Sequence, residues 1–110
     1  MSQAHRAIPE ITVDELESLM RGDPVTVLDV REDWEYRRGR VPGAVSLPLR
    51  ELPGRIADLA RDRRYLIICE HGNRSLTATE FLLRNGFADV ASVAGGTNAW
   101  ARSNRPVVRD

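Results

Sequence analysis

The chain has 110 residues, of which 42% are hydrophobic and 29% charged, and its sixteen basic and sixteen acidic residues cancel. That length suits one domain spanning residues 1–110 with a core that needs no disulfide or metal staple, and the balance excludes a disordered polyelectrolyte. With no net charge there is no whole-molecule field to draw the chain to nucleic acid or to an anionic membrane surface, so neither partner is expected.

The opening stretch MSQAHRAIPEI lacks the apolar core of a secretory signal. No apolar run approaches the roughly 20 residues of a membrane span, so a cytoplasmic location is expected. The single cysteine, Cys69, cannot close an internal disulfide, which fits a reducing compartment and raises the question of what that cysteine is for.

In chain order, Thr12 followed by Glu15 forms a capping-box pattern, and Val13, Leu16, Leu19 and Met20 recur at helical spacing until Gly22. The spacing predicts a helix over 13–21. Val25–Val30 is a short apolar run rich in branched residues, the pattern of a strand buried on both faces of a parallel sheet. Asp33–Arg38 reads as a helix, Ala44–Leu47 as a short strand and Arg50–Arg61 as a second helical stretch. Tyr65–Cys69 is the most apolar strand. Arg74–Asn85 follows as a helix with Leu76, Ala78, Leu82 and Leu83 on one face, stopped by Gly86, and Val90–Val93 is a last strand. Alternating strands and helices require crossover connections, so the expected architecture is an open, mostly parallel sheet with helices on both faces and ligands at the carboxyl ends of its strands.

The chemistry concentrates where the apolar strand ends. Cys69 is followed by Glu70, His71, Gly72 and Asn73, and a helix is expected to open at Arg74-Ser75. A strand-to-helix turn aims several backbone N–H groups at one point, and the helix dipole adds to them, so the turn suits an anion such as a thiolate or persulfide. Gly72 can take positive φ in the tight loop, and Arg74 adds a cation at its rim. These features favour nucleophilic sulfur. A buried cysteine is more often a small hydrophobe, but strand, glycine, arginine, hydroxyl and helix stand here in the order that the mechanism requires.

The segment CEHGNRS resembles the active-site loop of the rhodanese family, Cys-x-x-Gly-x-Arg-Ser. Leu28-Asp29-Val30-Arg31-Glu32 with Trp34-Glu35-Tyr36 and Gly39-Arg40-Val41-Pro42-Gly43-Ala44 resembles its upstream signature, and Val93-Ala94-Gly95-Gly96 with Trp100 its closing one. The resemblance covers almost the whole chain as one copy. It implies the rhodanese-like three-layer α/β fold, an open, mostly parallel five-stranded sheet with helices on both faces, and a thiosulfate sulfurtransferase type of activity. In that activity the Cys69 thiolate takes the outer sulfur of a donor such as thiosulfate or a persulfide, the loop amides hold the persulfide, and cyanide or a thiol removes it in a second half-reaction. No cofactor is implied.

The sequence departs from the family pattern twice. Arg40 stands where histidine is usual, in a turn where a structural change is expected rather than a lost activity. Glu70 stands where thiosulfate-using members often carry a cation, which puts the sulfur donor in question. A second reading is a persulfide-carrying or protein-binding module with low free turnover, for which a sulfur-accepting protein is the partner. A third, a phosphatase or arsenate reductase of the same general fold, is disfavoured because those loops hold one residue more between cysteine and arginine. The reductase also needs a second thiol.

Other residues are weighed against plainer roles. Arg31 is a candidate for holding an anionic donor, with an ion pair to Glu35 or Asp29 as the alternative. His71 is a candidate substrate donor or a solvated loop residue, Ser75 a helix cap or a donor to the persulfide, and Asn73 a turn former. Gly95-Gly96 lacks the spacing of a dinucleotide loop and reads as a close-packed turn. Trp34 and Trp100 read as core or rim packing. His5 and His71 with one cysteine make no metal cluster, so no metal is expected. Arg37-Arg38-Gly39-Arg40 and Arg61-Asp62-Arg63-Arg64 read as solvated helix ends.

Overall fold

The computed structural model describes residues 7–110; His5 lies outside them. Five strands form one sheet: β1 (Glu10–Ile11), β2 (Val25–Asp29), β3 (Val45–Ser46), β4 (Arg64–Ile68) and β5 (Val90–Val93). Their spatial order is β1-β5-β4-β2-β3 and every pairing is parallel. The helices are α1 (Val13–Gly22), α2 (Asp33–Arg38), α3 (Leu52–Arg55), α4 (Asn73–Arg84) and α5 (Gly96–Arg102).

Side chains alternate between the faces of the sheet, and each face has its own core. On one side Leu28, Val30, Tyr65, Ile67, Cys69 and Val90 pack with Leu52, Ala78, Leu82 and Phe87, which joins α3 and α4 to the sheet. On the other side Val27, Leu66, Ile68, Ala91 and Val93 pack with Leu16 of α1 and Trp100 of α5. Both faces of β4 are therefore apolar, which is why its sequence reads as an unbroken hydrophobic run. None of the described helices is long and apolar enough to cross a membrane.

The Thr12 capping box forms as its sequence predicts: Glu15 N–H donates to Thr12 Oγ1 at 3.1 Å and Thr12 N–H to Glu15 Oε1 at 2.8 Å. Four expectations change. The single helix over Arg50–Arg61 is not formed; only Leu52–Arg55 is α-helical, with 3₁₀ turns at Leu49–Glu51 and Ile56–Asp58. Pro53 and Gly54 explain this, since one brings no amide donor and the other gives the helix little support. β4 ends at Ile68, so Cys69 is the first residue beyond the strand. The Gly95-Gly96 turn opens a helix, α5, that its sequence did not announce, and the two-residue edge strand β1 is likewise new.

Candidate functional site

The loop from Cys69 to Gly72 joins the central strand β4 to α4 at the carboxyl edge of the sheet. Gly72 takes φ +104°, a left-handed conformation that ends the loop and lets α4 begin at Asn73. This start turns two backbone donors onto the sulfur: Gly72 N–H reaches Cys69 Sγ at 3.1 Å and Ser75 N–H at 3.3 Å. Cys69 is only 1% exposed. With N–H donors on one side and the positive end of α4 behind them, the cradle fits a negatively charged sulfur.

Ser75 does not cap the helix. Gly72 holds the cap position, so Ser75 falls in the first turn and is buried beneath the sulfur. Its Oγ lies 3.4 Å from Cys69 Sγ and 2.7 Å from Ser92 Oγ. Ser92, in the middle of β5, is fully buried, and its side chain points to the α4 side of the sheet. Ser92 lies outside the residues that the sequence singles out. A hydroxyl inside the apolar run Val90–Val93 was the available signal, because a buried hydroxyl needs a partner.

A second clamp fixes the outside of the loop. The carbonyl of Cys69 accepts from Thr97 N–H at 2.8 Å and from Thr97 Oγ1 at 3.0 Å, and the carbonyl of Glu70 accepts from Asn98 N–H at 3.0 Å. With these two carbonyls turned toward α5, the loop's donors are left for the sulfur. The approach is so close that a Cβ on Gly96 would stand 2.5 Å from Cys69 O and 2.6 Å from Glu70 O.

The charged residues nearby are paired. Arg31 is buried beside Asp29, to which it donates from Nε and Nη2 at 2.9 and 2.7 Å; it also reaches Glu70 Oε1 from Nη1 at 3.0 Å and Gly39 O from Nη2 at 2.8 Å. Burial opposes its charge, and its hydrogen bonds to Asp29 and Glu70 outweigh that, so the guanidinium is held above its ordinary value. Of the two pairs weighed for Arg31, the one with Asp29 forms. Glu35 instead takes Arg74, in a two-pronged contact at 2.7 and 2.8 Å. That hydrogen bond raises Arg74 and, as the largest influence, lowers the Glu35 carboxyl from its ordinary 4.5. Arg74 is thus at the rim as expected, with its charge already matched.

His71 is exposed, as is Asn73, the first residue of α4. Trp100 is core, whereas Trp34 is 59% exposed and packs at the rim. Arg40, far from a solvated helix end, bridges Val108 and donates to Tyr36 O and Asp110. Among the described residues no three His, Cys, Asp or Glu side chains converge on a metal position.

A parallel five-stranded sheet with a cysteine cradled at the β4–α4 turn defines an α/β domain with a candidate thiol site. The rhodanese-like domain model matches residues 12–103, and the chain belongs to that family. A sulfurtransferase of Allochromatium vinosum is 35% identical over 86 residues, covering 78% of this chain and 80% of that one. The thiosulfate sulfurtransferase GlpE of Shewanella oneidensis is 31% identical over 94 residues, 86% and 93% of the two chains. Among solved structures, a rhodanese-related protein of Thermoplasma volcanium superimposes with a TM-score of 0.85 at 36% identity, over 93% of this chain and 99% of that one.

Proposed function

We propose that this protein is a sulfurtransferase that carries sulfane sulfur as a persulfide on Cys69. The observation that carries this reading is the cradle itself: two backbone N–H groups and the Ser75 hydroxyl converge on a single buried sulfur. In the first half-reaction the Cys69 thiolate attacks the outer sulfur of the donor. A new S–S bond forms, the donor's own bond to that sulfur breaks, and the remainder leaves with the electron pair, as sulfite if the donor is thiosulfate. In the second, a thiol or cyanide attacks the outer sulfur and Cys69 leaves as the thiolate, so the kinetics are ping-pong. His71 and Asn73 are exposed beside the loop and are assigned to the border of the incoming reactant.

Donor choice follows from charge. Around the loop the cations Arg31 and Arg74 are matched by three carboxylates, Asp29, Glu35 and Glu70. Such a rim gives a dianion no excess positive charge to meet, and a neutral or thiol-bound sulfur donor is favoured over thiosulfate. Because the chain has no second thiol to displace the persulfide from within, the loaded form persists until an outside acceptor arrives. A carrier that hands sulfur to a partner protein uses the same chemistry and differs in its low turnover with free acceptors.

Intact-mass measurement tests the reading. Incubation with a sulfane donor adds the mass of one sulfur atom, cyanide or a thiol removes it, and Cys69→Ser takes up none. Sulfur transfer at the parent rate by Cys69→Ser would overturn it. The same assay, run across thiosulfate and organic persulfides, ranks the donors.

A further inference from the structure

A groove of about 370 Å³ opens beside the sulfur loop, between α2, α5 and the chain's last residues. Its inner end is formed by Glu70, the neighbour of Cys69, and by Thr97, which holds the Cys69 carbonyl. Trp34, Arg38, Val107 and Arg109 also line it. The size is that of a site for a small organic molecule.

The charges in this groove are unequal in their freedom. Glu35 and Glu70 also line it, but each is already bound, to Arg74 and Arg31 respectively. On the positive side, Arg31 pairs with Asp29 and Glu70, while Arg38 and Arg109 have no carboxylate partner among the described residues. Arg38 instead rests 5.8 Å from the centre of the Trp34 ring, which is exposed. The groove thus carries an aromatic plane and two guanidinium groups that are on α2 and the last residues, not on the sulfur loop. Near the sulfur, by contrast, the cations are neutralised.

We infer that this groove binds the sulfur acceptor, and that the acceptor is a small thiol bearing one or more carboxylates, of amino-acid or short-peptide size. The inference rests on the Cys69 persulfide proposed above. Arg38 and Arg109 hold the carboxylate end through charge-assisted hydrogen bonds, the stem lies along Trp34, and the thiol reaches the loop past Glu70. The acceptor's thiolate then attacks the outer sulfur. One S–S bond forms, the bond from that sulfur to Cys69 breaks, and the electron pair returns to Cys69. One thiolate is consumed and one released, so charge is conserved and the acceptor and Cys69 exchange the persulfide with no net oxidation.

The test loads the full chain with one sulfur and follows its discharge by mass. Four thiols serve as acceptors: cysteamine, 2-mercaptoethanol, 3-mercaptopropionate and mercaptosuccinate, of charge +1, 0, −1 and −2 outside the reacting group. In the parent protein the discharge rate, corrected for each thiol's reactivity toward a small persulfide, rises along this series, and added salt flattens it. In the double variant Arg38→Gln/Arg109→Gln the ratio of mercaptosuccinate to 2-mercaptoethanol rates falls about tenfold. In Arg38→Glu/Arg109→Glu the order reverses in favour of cysteamine. Ratios cancel any general damage to the sulfur loop. An unchanged ratio in both variants, with loading intact, overturns this inference alone, whereas failure of the parent protein to take up sulfur overturns the persulfide reading on which it stands.

Discussion

At the scale of single residues, the hydroxyl pair under the sulfur is the most informative feature. Ser92 Oγ has Ser75 Oγ as its hydrogen-bond partner, and Ser75 Oγ in turn touches Cys69 Sγ. If the sulfur is negatively charged, Ser92 donates to Ser75 and Ser75 donates to the sulfur, so both buried hydroxyl protons are used. If the sulfur keeps its proton and donates it to Ser75, one of the two buried hydroxyl protons is left over, whichever serine donates to the other. A buried donor without a partner costs about 1–3 kcal/mol, so the pair is best satisfied when Ser75 donates to the sulfur. Ser92→Ala should accordingly slow persulfide formation about tenfold at neutral pH, and Ser92→Thr, which keeps the hydroxyl, should restore most of the rate. Loading at the parent rate by folded Ser92→Ala would reduce the pair to packing.

At the scale of elements, the loop is held from both sides by helices that start at glycines. Gly96 has φ +60° and no room for a methyl group against the Cys69 and Glu70 carbonyls. Gly96→Ala should therefore destabilise the protein by about 1–3 kcal/mol and displace the loop, with sulfur loading lost more completely than stability. Gly54→Ala in α3 is the control: a Cβ there meets nothing within 4 Å, and the urea midpoint should hold or rise slightly. Equal midpoints for the two variants would refute the clamp.

Much of this was readable beforehand because it is local. The cradle runs from Cys69 to Ser75 without interruption, and the strands announce themselves through apolar runs bounded by polar turns. What was hidden depends on register between distant segments. Glu35 and Arg74 are 39 residues apart, as are Arg31 and Glu70, and no spacing rule selects these pairs over Arg31 with Glu35. Likewise α5 is short and begins with two glycines, so its sequence looks like a turn until the carbonyls it holds are seen.

At the scale of the whole molecule, the Glu35–Arg74 contact ties α2 to α4 across the mouth of the site. The folded carboxyl is held below its ordinary 4.5, chiefly by the hydrogen bond from Arg74, so in acid the folded chain takes up this proton less readily than the unfolded one. The stabilisation is complete above the ordinary carboxyl value and is lost as pH falls through the lower folded one. Chemical denaturation of the parent and of Glu35→Gln should show a stability gap at pH 7 that closes below about pH 4. A gap that stays constant across that range would mean that the pair contributes nothing.

The hydrogen bonds from Thr97 and Asn98 to the sulfur loop span 28 residues of chain, and β5 must slot between β4 and β1 before α5 can make them. During synthesis, Cys69 is therefore exposed long before the segment that shapes its surroundings has been made. Until then its loop lacks the donors that turn the Cys69 and Glu70 carbonyls toward α5. On the proposed persulfide role, competence arrives with α5, and a nascent chain is spared premature reaction at Cys69.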